Sequence, residues 1–320
     1  MSKTAMNAQL INTLAFQIFE SSANSPESYG VRETIVGGAR VLDFATGREG
    51  STKAGILLSQ ICMGGLGEIV LGDPVGDLNL RPVHVQTDSP LEACMGSQYA
   101  GWPVANENYF GMGSGPMRML RGKEEVLSEY GLVSSADHAV GVLESNHIPD
   151  ESIVKLVASE CGVSAEQVCL CVARTASYPG SLQVVARSVE TAMHKLHALE
   201  FDLGCVVSAT GVAPLPPIAA DDMTALGWTN DSILYGASVN LTVETDDSVI
   251  EKIVNQVPSC SSEEFGVPFL DIFNKYDKDF YKIDKLLFSP AKVVFHNLQT
   301  GNSFEAGEVR SDILKRSFGI

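Results

Sequence analysis

Glu151-Ser-Ile-Val-Lys-Leu-Val-Ala-Ser-Glu-Cys161-Gly-Val-Ser-Ala-Glu-Gln-Val168-Cys-Leu-Cys-Val-Ala173 reads as a helix, a Gly162-Val163-Ser164 turn and a buried apolar strand in which Cys169 and Cys171 share a face. A second helix follows in Ser181-Leu-Gln-Val-Val-Ala-Arg-Ser-Val-Glu-Thr-Ala-Met-His-Lys-Leu196, and Gly204 to Ala209 reads as another strand. Helix and strand in alternation define α/β units. Working outward, residues 4 to 22 predict an opening helix, and Ala54 to Met63 another. Short strands are expected at Thr34 to Val36, Arg40 to Asp43, Glu68 to Leu71 and Val83 to Thr87, with β-rich stretches near 233 to 245 and 292 to 308. The expected fold is therefore α/β with α+β character and a mixed sheet.

The 320 residues are 45% hydrophobic and 19% charged, enough apolar side chain for a full core in one large domain or two intimate ones. Neither an internal repeat nor a low-complexity linker marks a boundary. The Gly111-Met-Gly-Ser-Gly-Pro116 loop is the best crossing point, with a second in the polar stretch Asn255 to Gly266. This gives residues 1–110 plus about 267–320 as one α/β domain and 111–266 as the other.

A net charge of −17, from 22 Lys and Arg against 39 Asp and Glu, supplies no cationic footprint for nucleic acid or an anionic membrane. The first residues lack a basic segment followed by an apolar core, and no apolar run approaches a membrane span, so a cytoplasmic protein is expected. Seven scattered cysteines fit reduced thiols better than a disulfide framework.

In the second helix Leu182, Val185, Ala186, Val189, Met193 and Leu196 make an apolar face, while Gln183, Arg187, Glu190 and His194 line up beside it. Ser181 is expected to cap the helix after Tyr178-Pro179-Gly180. The spacing alone leaves two readings of Arg187 and Glu190. They form either a solvated surface pair of about 0.2–0.5 kcal/mol or a charged pair beside buried surface that does chemistry. The glycines at 111, 113 and 115 fit either anion binding or a tight turn, with Pro116 opening a helix and Arg118 in its first turn. They match neither a Walker loop nor a dinucleotide fingerprint. The six histidines show no metal-binding spacing, no Gly-x-Ser-x-Gly elbow is present, and no metal site is expected. Asp221-Asp222 reads as a helix cap or a site acid, with capping preferred.

Taken in order, Gln98-Tyr-Ala-Gly-Trp102, Gly111 to Pro116, Ala186 to Leu196, Ala213-Pro-Leu-Pro-Pro217, Thr229-Asn-Asp-Ser-Ile-Leu-Tyr-Gly236 and Asp279-Phe-Tyr-Lys-Ile-Asp284 through Ala291 resemble the methenyltetrahydromethanopterin cyclohydrolase family. The resemblance covers nearly the whole chain. It implies two α/β domains side by side with a deep pocket between them, usually in a homotrimer. It also implies reversible hydrolysis of N5,N10-methenyltetrahydromethanopterin to the N5-formyl form in one-carbon metabolism of methanogens and methylotrophs, with no cofactor besides the pterin substrate. The essential Arg and Glu of that family fall on Arg187 and Glu190. Gln183, His194, Gly113, Ser114, Arg118, Asn230, Asp231 and Lys282 are candidates for holding the substrate. One position departs from the family pattern, Trp228, where an Arg commonly precedes the Thr-Asn-Asp block. The rival readings are another tetrahydromethanopterin one-carbon enzyme and a catalytically silent pterin-binding protein. The missing dinucleotide fingerprint disfavours a dehydrogenase, and retention of Arg187 and Glu190 disfavours the silent protein.

Overall fold

The computed structural model describes residues 3–279 and 282–320. In chain order it runs through helix α1 (Lys3–Ala23), strands β1 (Arg32–Val36) and β2 (Ala39–Ala45), α2 (Thr52–Cys62), and strands β3 (Glu68–Leu71) and β4 (Pro82–Thr87). A wide π-type helix at Leu91–Gln98 precedes β5 (Trp102–Ala105), β6 (Phe110–Ser114), α3 (Met117–Arg121), α4 (Glu125–Glu129), β7 (Ala139–Glu144), α5 (Glu151–Cys161) and β8 (Val168–Ala173). Then come α6 (Tyr178–Val185), α7 (Ser188–Ala198), β9 (Val206–Pro214), α8 (Asp222–Leu234), β10 (Ser238–Val243) and α9 (Asp247–Ile253). The chain closes with α10 (Phe269–Lys275), β11 (Lys292–Asn297), β12 (Ser303–Gly307) and α11 (Ser311–Phe318).

These elements form two compact units, each with a six-stranded mixed sheet. The first takes the chain up to Glu68 and Leu91–Gln183; the second takes Ile69–Pro90 and Val184–Ile320. The division falls elsewhere than the boundaries read from the sequence. The reason is the short excursion at 69–90: β4 pairs with β9, more than a hundred residues away, register Val85↔Gly211, and no composition shift marks that pairing. The expected crossing at 111–116 lies inside the first unit, because Gly111 and Gly113 belong to β6 and only Gly115 lies in the bend after it.

The first sheet has the order β1-β2-β8-β7-β6-β5, with β8 parallel to both β2 and β7. Its central strand β8 is buried along its full length. Cys169 and Cys171 pack on one face with Phe19, Phe44, Leu58 and Ile61 from α1, β2 and α2. Val168, Leu170 and Val172 pack on the other with Ile153, Val154 and Val157 of α5. Two covered faces are what a strand between two parallel neighbours requires, and they account for its unbroken apolar sequence. Helix α5 starts at Asp150, whose side chain accepts from Ser152 N and Ile153 N, and stops at Gly162 with φ +69°.

The second sheet has the order β12-β11-β10-β9-β4-β3, with β10 and β11 parallel. Val239, Leu241, Val243, Val293 and Phe295 are buried in β10 and β11. The alternate residues are more open and, apart from Val294, polar, Asn240, Thr242 and His296 among them, the alternation of a sheet with one covered face. A separate cluster joins α8, α10 and α11 through Leu234, Tyr235, Phe269, Phe273, Leu314 and Phe318. Asp221 caps α8 through Thr224 N, 2.9 Å, so capping is the role its position serves.

All seven cysteines are free thiols. Five are buried, Cys205 is half-buried and Cys260 is exposed. Burial pushes the Cys161 and Cys169 thiols up to about 12 and raises Cys171 well above the ordinary range.

Candidate active site

The stretch 181–196 is two helices, not the single one its periodicity predicts. Helix α6 ends at Val185, Ala186 and Arg187 form a turn, and α7 begins at Ser188. The start of α6 also lies earlier than expected. Ser177 Oγ accepts from Gly180 N at 3.0 Å, while Ser181, the expected cap, gives its hydroxyl to Thr175 O at 2.8 Å. Apolar phase is kept through the break, since Leu182, Val185, Ala186, Val189, Met193 and Leu196 are all fully buried.

The interruption places Arg187 at the residue before α7 and Glu190 in the first turn of that eleven-residue helix. The Arg187 carbonyl accepts from both Thr191 N and Thr191 Oγ1 at 2.8 Å, which fixes the backbone at the helix start. Arg187 and Glu190 are each 7% exposed, so the surface-pair reading is set aside by burial. A carboxylate in a first helical turn lies near the positive end of the helix dipole and is favoured in its ionised form. A buried ionised group must be paired or hydrogen-bonded to remain charged, and Arg187 is buried three residues before Glu190.

Further along α7, His194 is half-buried. Burial, reinforced by repulsion from His197 and Lys285, lowers its pKa and so favours the neutral ring. Lys195, which sequence reading did not single out, is fully buried. Its Nζ donates to Ser261 Oγ at 3.1 Å and to the Leu286 carbonyl, and burial brings its pKa down to about 8 against the opposing pull of Asp284. No motif advertises that role, because the partners lie 66 and 91 residues away.

The other candidates are distributed over both units. Gln183, 2% exposed, sits in α6. Gly113 and Ser114 are in β6, where Ser114 Oγ meets Cys62 Sγ at 3.4 Å. Arg118 is fully buried: its Nη1 donates to the carbonyls of Met95, Gly96 and Ser97 at 3.0–3.2 Å, it pairs with Glu124, and it stacks on Tyr99. That guanidinium closes the open end of the wide 91–98 helix, and these partners are internal. Asn230 Nδ2 donates to Leu226 O at 2.9 Å within α8. Asp231, fully buried, accepts from Phe269 N at 2.8 Å and from Ser317 Oγ, and burial raises its pKa to about 7. Trp228, the departing position, packs edge-on against Phe318. Lys282 is more than half exposed, 3.8 Å from Asp279. Its neighbours Phe280 and Tyr281 lie outside the described residues.

Two units with mixed sheets, one of them carrying a buried Arg187 and Glu190 in the opening turn of a helix, define the class: an α/β protein with two six-stranded mixed sheets. The family model described as "Cyclohydrolase (MCH)" matches residues 10–318, and the chain belongs to that family. A methenyltetrahydromethanopterin cyclohydrolase of Rhodopirellula baltica is 47% identical over 312 residues, covering 96% of this chain and 94% of the relative. Proteins of the same name from Methanospirillum hungatei and Methanocaldococcus jannaschii are each 40% identical over 97% of this chain and 98% of their own length.

Proposed function

We propose that this chain hydrolyses N5,N10-methenyltetrahydromethanopterin to its N5-formyl form, with Glu190 as the proton carrier and Arg187 as its partner. Family membership across residues 10–318 carries the activity. The observation that supports the roles is the burial of Arg187 and Glu190 together in the opening turn of α7.

The methenyl carbon is flanked by two nitrogens and shares their positive charge, so it is already electrophilic. What the protein must supply is an oriented water and a path for protons. Glu190 takes a proton from the water as its oxygen bonds to that carbon, giving a neutral tetrahedral carbinolamine. The carbon–N10 bond then breaks, its electron pair goes to N10, and Glu190 returns the proton there. The remaining hydroxyl proton leaves to solvent as the formyl C=O forms. Water is thus added and one proton is released. Arg187 keeps the carboxyl group ionised and aimed between turnovers. A negative carboxylate also favours the cationic substrate over the neutral product.

The substrate-holding roles extend to Gln183, His194, Gly113, Ser114, Asn230 and Lys282. His194, neutral because it is desolvated, does not repel a cation. Arg118 and Asp231 act through the fold, since their polar atoms serve Met95, Gly96, Ser97, Glu124, Phe269 and Ser317. The reading also takes the assembly as a homotrimer in the cytoplasm that needs no cofactor beyond its pterin substrate, in keeping with the resemblance. Adding the purified protein to methenyltetrahydromethanopterin tests the activity directly: methenyl absorbance falls with time, and an unchanged spectrum would leave the silent pterin-binding protein as the better reading.

A further inference from the structure

Gly211 lies in the middle of β9, paired with Val239 of β10 on one side and Val85 of β4 on the other. A glycine inside a central strand weakens it and marks a place where other atoms come close. Here the close atoms belong to the opening turn of α7. A methyl group on Gly211 would stand 2.4 Å from Ser188 Oγ, 3.0 Å from Val189 Cγ2 and 3.3 Å from Ser188 Cβ. Ser188 is fully buried, and its hydroxyl has no hydrogen-bond partner among the described residues. It lies against the bare strand backbone between the two residues assigned to the chemistry.

We propose that Gly211 is a positioning residue for the hydrolysis: its missing side chain lets the Ser188–Val189 turn seat directly on β9 and thereby sets where the Glu190 carboxylate stands. The inference rests on the assignment of Glu190 as proton carrier. The contact is short enough to matter. Ordinary van der Waals separation begins near 3.4 Å, so an added methyl drives Ser188 Oγ or the first turn of α7 back by up to about 1 Å, and a displacement of that size at reacting groups costs up to about a hundredfold in rate. Rotation of the Ser188 hydroxyl does not remove the conflict, because Ser188 Cβ and Val189 Cγ2 remain tight.

The test is a cycle of Gly211→Ala, Ser188→Ala and the double variant, following kcat and KM by loss of methenyl absorbance and melting temperature in parallel, with Glu190→Gln as reference. Gly211→Ala should lower kcat about tenfold or more with KM changed far less. In the Ser188→Ala background, where the 2.4 Å contact is gone, the same substitution should cost several-fold less. Full turnover in Gly211→Ala, an identical loss in both backgrounds, or a loss carried by KM alone would overturn the proposal. Should Gly211→Ala not fold, Ser188→Thr adds bulk from the helix side, and an unchanged kcat there would sink the idea equally. An active Glu190→Gln removes the underlying assignment instead, and is told apart from the other failures by that single variant.

Discussion

Two neighbouring charges in one helical turn carry the chemical reading, and each has its own expected signature. Glu190→Gln keeps shape and hydrogen-bonding capacity but cannot carry a proton, so kcat should fall at least about a hundredfold while the melting temperature changes little. A variant retaining a tenth of wild-type turnover would remove Glu190 from that role. Arg187→Ala removes the cation proposed to hold that carboxylate and should lower both turnover and stability. Asp231 offers a prediction of another kind, on the stability side. Its carboxyl titrates near 7 in the fold, against an ordinary value of 3.8. Between those values the folded protein holds a proton that the unfolded chain has released. The stabilisation is complete below about pH 4 and is lost as pH rises through 7. Thermal melts from pH 5 to 8 should show Asp231→Asn losing less stability over that interval than wild type; parallel curves would refute the assignment.

At the scale of elements, α7 is held at both ends, at its start by Gly211 of β9 and near its end by Lys195. The pKa of Lys195 falls to about 8 in the fold from an ordinary 10.5. Between these values the unfolded chain keeps a proton that the folded one has lost, so this group's contribution to stability rises with pH. The stability difference between wild type and Lys195→Met should therefore shift in favour of wild type from pH 8 to 10, read by denaturant melts at each pH. A constant difference would show that the ammonium is not desolvated as described. Ser177→Ala, which removes the cap of α6, should cost about 1 kcal/mol.

The same elements show how far the sequence could be read. Strand β8 and helix α5 were legible because burial on both strand faces and caps at both helix ends leave local marks. The break between α6 and α7 was not. Ala186 and Arg187 are good helix formers with no Gly or Pro beside them, and the apolar phase continues through the turn. The glycines of β6 misled in the opposite direction. They look like loop residues, but Gly113 is bare because a side chain would stand 2.8 Å from the Trp102 carbonyl of the adjacent strand. Both errors come from long-range packing overriding local propensity. Within the site, Arg187 and Glu190 were visible in pattern but open between a solvated surface pair and a buried one until burial was known. Gly211 and Lys195 carry no local signal, since their partners are remote in the chain.

Across the whole molecule, a net charge of −17 makes the surface self-repelling. Screening shortens the reach of that repulsion from about 30 Å at 0.01 M salt to about 8 Å at 0.15 M. The melting temperature should therefore rise as KCl is added from low ionic strength. A flat or falling response would mean that the negative charges are already compensated locally. Among the described residues no helix is long and apolar enough to cross a membrane.

The distribution of thiols has a practical corollary. Cys161, Cys169 and Cys171 are shielded and resist ionisation, whereas Cys260 stands in solvent beside Ser261, the residue that receives the Lys195 ammonium. A maleimide fluorophore applied briefly to the native protein should therefore attach first at Cys260, ahead of the half-buried Cys205, whose thiol burial raises. It would install a reporter one residue from the anchor of α7 and make movement of that helix visible during turnover without any engineered mutation.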